Sequence, residues 1–298
     1  MKIAVLGAGA VGLSIAARLS SLADIHAVSR PRHADAVTRL GLRLTGLWGG
    51  DGTYFFPCTT DLPDAEYDYI LITSKATQTR EICEQFHDRF GGDAAVVSIQ
   101  NGIGNEEIIS EYTDNIIGGM IITGFEWRGG DADIHISVIG GEAQFGLFPD
   151  GCDERVATLV RLFEKAGIVA TATDAIRSAI WGGKTIYNAA LNPLGAVMGV
   201  AYGALLNPYA WEVITDIVEE AYAVADAEGI TLKYPTADAY LNYLHDKQIP
   251  ATYQHHSSMY QALSAGKRTE IDVMNGALVT KGASHGIPTP RQICLSPV

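Results

Sequence analysis

An ammonium and two amides recur at four-residue steps in Lys184, Asn188 and Asn192, within a stretch that carries no further charged side chain until Glu212. Positions four apart on a helix lie about 40° from one another, so the three groups share one stripe that a single small molecule can touch. Buried polar groups need partners. These three therefore either satisfy one another and the backbone, or face a wet cleft that receives a ligand.

The other end of the chain announces what that ligand would meet. Gly7-Ala8-Gly9-Ala10-Val11-Gly12 follows an apolar strand-like run and opens a helical one, the context in which this glycine spacing cradles a dinucleotide. Gly7 permits the tight turn, Gly9 lets backbone approach a pyrophosphate, and Gly12 allows helix to pack closely on strand. The amides of the helix start then face the phosphates. After the second strand, where NAD-binding chains commonly place an acid for the ribose hydroxyls, stands Ser29-Arg30-Pro31-Arg32. A guanidinium there suits a 2′-phosphate, so NADP (as NADPH) is the expected cofactor, with Arg30 nearest the strand end. Lys75 and the run Gln100-Asn101-Gly102 follow two further strand-like segments, at the rim where ligands of open parallel sheets sit.

These groups are positioned by an alternation of β-branched runs and amphipathic stretches over the first half. Strands are expected at residues 2–6, 25–29, 67–73, 94–99 and 116–123, with a helix at 11–21. Residues 42–45 with 53–57 read as a minor hairpin, and 134–139 with 143–148 as a second one around Gly140 and Gly141. A helix is expected at 153–166 and a last strand at 168–173. Beyond residue 174 helical periodicity dominates, over 174–198, 208–228, 236–245 and 270–285. The fold expected is an α/β doubly wound sheet of Rossmann type over 1–175, followed by an all-α domain over 176–298.

Composition narrows the class. The 298 residues carry a formal net charge of −13, which argues against nucleic acid or an anionic membrane surface as partner. Cys58, Cys83, Cys152 and Cys294 show neither zinc nor disulfide spacing, and no leader is read at the N-terminus, so the cytoplasm is the expected location. Residues 185–211 carry no charge, but Asn188, Asn192, Pro193, Asn207 and Pro208 interrupt them, which favours a buried helix pair over a membrane span. Thr269 with Asp272 fits a capping box that would set Glu270 in a first helical turn. His255 and His256 lack a third ligand at helical spacing, and no metal site is expected.

Together these residues resemble the ketopantoate reductases (2-dehydropantoate 2-reductases). The pieces that carry the resemblance are Gly7 to Gly12, Lys75, the run from Gln100 to Gly104, Lys184-x-x-x-Asn188-x-x-x-Asn192-Pro193-Leu194, Ser257-Ser258-Met259, and Arg268 to Asp272 with Asn275-Gly276. The resemblance implies NADPH-dependent reduction of a 2-oxo acid, 2-dehydropantoate first among them, to the 2-hydroxy acid, as in pantothenate and coenzyme A biosynthesis. It implies a cleft between the two domains for cofactor and substrate, with Lys184 as general acid and Glu270 orienting the substrate hydroxyl and biasing Lys184. Asn188, Asn192, Ser258 and Asn101 would bind substrate, and Lys75 and Asn101 would also serve the cofactor. A homodimer is left open.

Two features depart from the family pattern. Gly124-Phe125-Glu126-Trp127 stands where small residues usually line the site, which keeps open a reductase of a different 2-oxo acid. The similarity also fades after Pro290, where a further helix is expected to be missing. A third reading, an NADPH-binding regulatory protein without turnover, is disfavoured by the presence of both Lys184 and Glu270.

Overall fold

The computed structural model describes residues 1–296, so Pro297 and Val298 of the expected helical domain lie outside the described residues. The chain forms two compact units. The first is Met1–Gln100 with Asn105–Ile176, and the second is Asn101–Gly104 with the chain from Arg177 onward. Four residues of the second unit are thus embedded in the sequence of the first.

The strands of the first unit are β1 (Lys2–Leu6), β2 (Asp24–Val28), β3 (Leu42–Gly46), β4 (Gly52–Tyr54), β5 (Cys58–Thr59), β6 (Tyr69–Ile72), β7 (Ala95–Ser98), β8 (Ile116–Met120), β9 (Thr123–Trp127), β10 (Asp133–Ile139), β11 (Ala143–Leu147) and β12 (Ala170–Ala172). Eight of them form one sheet in the order β12-β11-β8-β7-β6-β1-β2-β5. β1, β6, β7 and β8 are almost entirely buried apolar segments, as strands covered on both faces must be. β1 pairs in parallel with β2 on one side and β6 on the other, so the connections run outward in both directions from β1. That reversal opens a crevice at the carboxyl ends of β1 and β6. Covering helices are α1 (Ala10–Leu19), α2 (Pro31–Leu40), α3 (Thr79–Phe86), α4 (Asn105–Ile109) and α5 (Glu154–Lys165). α5 starts where the Asp153 carboxylate accepts hydrogen bonds from the amides of Arg155 and Val156.

The remaining strands make a second sheet, β4-β3-β10-β9, packed over α1. The hairpin expected at 42–57 is present as β3 and β4. The one expected around Gly140 and Gly141 is not: β10 pairs with β3 and β9, whereas β11 joins the large sheet beside β8 and β12. Burial decides this against the local turn. Phe145 of β11 is fully buried edge-on to Phe163 of α5, with ring centroids 4.8 Å apart, which draws β11 into the large sheet, and the glycines carry the chain from one sheet to the other.

The second unit is helical: α6 (Ile176–Ile180), a π-helical turn (Trp181–Thr185), α7 (Ile186–Met198), α8 (Pro208–Ala227), α9 (Ala237–Tyr243), α10 (Ile249–Ala251), α11 (Ser258–Ser264), α12 (Asn275–Ser284) and α13 (Pro290–Leu295). The uncharged stretch 185–211 is broken by Gly199, whose left-handed conformation ends α7, and by a 3-10 turn before α8. No helix among the described residues is long and apolar enough to cross a membrane.

The helix expected to be missing after Pro290 begins there as α13. Glu220 of α8 accepts the backbone amides of Arg291 and Gln292 at 2.8 and 3.0 Å, while Asp216 takes the Arg291 guanidinium at 2.6 Å.

Pro193 lies inside α7 and offers no N–H to the carbonyl of Ala189. The Asn275 side chain donates to that carbonyl instead, at 3.0 Å, and also to Gln292 Oε1 at 2.7 Å. The Asn-Pro and Asn-Gly pairs, far apart in sequence, are thus two halves of one repair.

Candidate active site

The glycine turn sits at the carboxyl end of β1. Gly7 adopts φ +63°, and a Cβ there would collide with Ser74. A Cβ on Gly12 would collide with Thr73 and press on Val5, so α1 packs tightly against its strand neighbours. Gly9 differs: a Cβ there would meet nothing within 4 Å. Gly9 is also the N-cap of α1, and no side chain caps the helix. The amides of Ala10 and Val11 therefore start a helix whose mouth is lined by backbone alone, the arrangement that suits a pyrophosphate. Ser29 Oγ donates to the Ala8 carbonyl at 2.6 Å and the Ala8 amide donates to Val28 at 2.8 Å, which ties the turn to the end of β2. Arg30, the next residue, is the exposed N-cap of α2. Lys75 is exposed just past β6.

Gln100 turns inward. Its Nε2 donates to Ser74 O, Ser74 Oγ and Thr79 Oγ1 at 3.1, 3.2 and 2.9 Å, so it binds the ends of β6 and β7 together. Beside this knot Glu106 is buried, and burial pushes its carboxyl up to about 7. Sequence reading passed over Glu106, whose only signal was an acid in an otherwise ordinary helix start.

In the second unit Lys184 belongs to the π turn, where Thr185 Oγ1 donates to the carbonyl of Ile180 at 3.0 Å. Such turns carry one extra residue and cluster at functional sites. The amine is only partly exposed. Burial lowers its pKa to about 8, with the carboxylate of Glu270 pulling it back upward. Glu270 also meets Asn101, whose Nδ2 donates to Oε2 at 3.5 Å, a long contact. The segments that carry these two are zipped together: Ile103 N donates to Val273 O at 3.1 Å, and Gly102, at φ +85°, lies so close to that carbonyl that a Cβ would collide with it. Lys184, Glu270 and Asn101 therefore converge.

The other expected substrate groups divide. Asn188 and Ser258 remain partly or fully exposed. Asn192 is 2 % exposed, and its Oδ1 accepts from Tyr202 Oη at 2.6 Å while its backbone carbonyl accepts from Ser257 Oγ at 3.3 Å. The stripe thus dives from solvent into the core along α7, and its last member is largely occupied by protein. The capping box is not formed either. Glu270 is itself the N-cap of a short 3-10 turn (Ile271–Val273) without a side-chain cap, and Asp272 pairs with Arg268 at 2.8 Å. That leaves the Glu270 carboxylate directed to Asn101 and Lys184. Trp127, one of the departures noted above, stacks on His33 with ring centroids 4.5 Å apart, and Glu126 lies 3.9 Å from Arg128.

Comparison with known proteins bears on this geometry. Residues 3–150 match the family described as Ketopantoate reductase PanE/ApbA, and residues 175–295 match its C-terminal domain. The chain belongs to the ketopantoate reductase family. A 2-dehydropantoate 2-reductase of Pyrococcus horikoshii is 33 % identical over 305 residues, covering 99 % of this chain and 95 % of that protein. Among solved structures, a PanE/ApbA family ketopantoate reductase from Ralstonia eutropha JMP134 superposes with a TM-score of 0.88 at 28 % identity, covering 99 % of this chain and 96 % of the other. A D-mandelate dehydrogenase in complex with NADH and anilino(oxo)acetate gives a TM-score of 0.82 at 26 % identity, again over 99 % and 96 %. Membership of the family makes the chain a nicotinamide-dependent oxidoreductase, and the C-terminal match runs through α13.

Proposed function

We propose that this chain reduces 2-dehydropantoate to pantoate, with NADPH as reductant, and that Lys184 is the proton donor. The observation that carries the reading is the amine of Lys184 set beside Glu270 with its pKa drawn down to about 8. Reduced nicotinamide, when bound, supplies the hydride to the ketone carbon. The chain has to neutralise the negative charge that grows on the ketone oxygen. An ammonium of this acidity is still protonated near neutrality and gives up its proton with little driving force wasted, the condition for an efficient general acid.

Glu270 keeps that amine charged and, with a lone pair to spare, accepts the substrate hydroxyl. Asn101 donates to Glu270 and, in this reading, binds the substrate beside it. Asn188 and Ser258 supply exposed hydrogen-bonding groups for the carboxylate. Asn192 contributes mainly by fixing α7 against Tyr202. On the cofactor side, the backbone of Gly7 to Gly12 cradles the pyrophosphate, Lys75 lies at the rim, and Arg30 reads the 2′-phosphate.

The fit of the chain to a dinucleotide rests on the open side of Gly9 and the uncapped start of α1. The choice of NADPH over NADH rests on Arg30 and the lack of an acid at the end of β2. The D-mandelate dehydrogenase crystallised with NADH makes that choice, and the identity of the 2-oxo acid, the points to test. Steady-state oxidation of NADPH and of NADH would be followed with 2-dehydropantoate, 2-oxoisovalerate and benzoylformate. The expected result is the highest kcat/KM for the pair NADPH and 2-dehydropantoate. A preference for benzoylformate would reassign the substrate, and a preference for NADH would reassign the cofactor.

A further inference from the structure

The second sheet has no part in the chemistry above, yet the tip of its β9–β10 hairpin reaches the residues that follow β2. His33, in the first turn of α2, is 1 % exposed. Its ring lies flat on Trp127 of β9, with centroids 4.5 Å apart and planes 12° from parallel. Nδ1 is 2.9 Å from the backbone carbonyl of Asp131, in the hairpin turn, and 3.4 Å from the Asp131 carboxylate. Nε2 receives Arg32 Nε at 3.3 Å and lies 3.5 Å from Arg30 Nη2. A guanidinium can only donate, so Nε2 must present its lone pair, and the ring proton resides on Nδ1 and is donated to Asp131.

One lone pair thus gathers two guanidiniums that would otherwise repel each other. Arg32 is steadied further by the Asp131 carboxylate at 3.5 Å, but that pair is exposed and by itself weak. The buried ring, clamped by a stack on one side and a backbone carbonyl on the other, is the rigid part. Side chains held in advance lose less freedom when a ligand arrives.

We propose that His33, fixed by Trp127 and Asp131, is a positioning residue that holds Arg30 and Arg32 for the 2′-phosphate and so sets the preference for NADPH over NADH. This rests on the reading of NADPH as cofactor. It gives Trp127, a departure from the family pattern, a role in cofactor choice, and it explains why a histidine beside two arginines is wholly buried.

The test measures Kd and KM for NADPH and NADH in the wild type and in His33→Phe, His33→Gln and Trp127→Leu. Phenylalanine keeps the stack and loses both nitrogens, so Kd for NADPH should rise about tenfold, as for one charge-assisted contact, with NADH affinity and kcat at saturation nearly unchanged. Glutamine restores an acceptor and should recover most of the preference. Trp127→Leu alters an edge strand rather than the core, and should shift the ratio the same way by a smaller factor, which keeps the idea testable if His33→Phe folds poorly. An unchanged NADPH-to-NADH ratio in His33→Phe or Trp127→Leu, or an equal loss for both cofactors, overturns the proposal while leaving the cofactor reading intact. A wild type that binds NADH as tightly as NADPH overturns the cofactor reading itself, and this proposal with it.

Discussion

An amine with a pKa of about 8 divides the pH scale at a point where assays are easily run. A proton donor must be charged, so with Lys184 in the proposed role kcat/KM for reduction should be level below that pH and fall above it. Glu270→Gln removes the anion that raises the pKa, and the falling limb should move to lower pH; a limb that stays put would remove the coupling. Lys184→Ala should lower kcat by about 100- to 10,000-fold with cofactor affinity kept.

The same burial is a cost to the fold. Because the folded-state pKa is below the ordinary lysine value of 10.5, the unfolded chain binds more protons between about 8 and 10.5. Stability from this group therefore rises with pH across that window and is lost as pH falls through about 8. Lys184→Met should raise Tm at pH 7, as expected where a site is built at the expense of stability.

Glu106 has the opposite sign. Its pKa is raised from 4.5 to about 7, so its contribution is fully present below 4.5 and lost as pH rises through 7. Glu106→Gln should match the wild type at pH 4 and exceed it above pH 7, by about 3 kcal/mol in urea unfolding. At this scale chemistry restricts the residue types a candidate site can hold, whereas spacing places Asn192 on a stripe without saying that the core surrounds it and that Tyr202 donates to its Oδ1.

The elements add what single residues cannot. β1, β2 and α1 stand within one or two residues of their expected limits, because an all-apolar run and a glycine turn leave few alternatives. The course of β10 and β11 was not legible, since the pairing depends on Phe145 meeting Phe163, a contact between segments that are not neighbours in sequence. The π turn was equally hidden, for nothing in Trp181 to Thr185 distinguishes a wide turn from an ordinary one.

The repair of α7 makes a testable prediction. Asn275→Ala leaves the Ala189 carbonyl without its side-chain donor, and should cost about 1–3 kcal/mol. Adding Pro193→Ala supplies a backbone N–H to the same carbonyl and should recover part of that loss. Additive losses in the double variant would mean that the two residues are not linked in this way.

At the scale of the whole molecule, the net charge of −13 leaves Arg30, Arg32, Lys75 and Lys184 as local cations in an acidic chain. Binding of an anionic cofactor should therefore weaken as salt is added, more for NADPH than for NADH, and titration in sodium chloride checks this. The order of the units and their chemistry could be read from the sequence. The interleaving of Asn101–Gly104 with the second unit could not, because a four-residue loop carries no periodicity to betray its allegiance.

That interleaving restricts how such a protein can be recombined. A crossover at residue 176 joins the head of one homologue to the tail of another but leaves 101–104 with the wrong parent. Gly102 and Ile103 must then seat against a Val273 carbonyl they were not selected with. A working chimera needs a second exchange at this short loop, so the two halves are inherited less freely than their separate folds suggest.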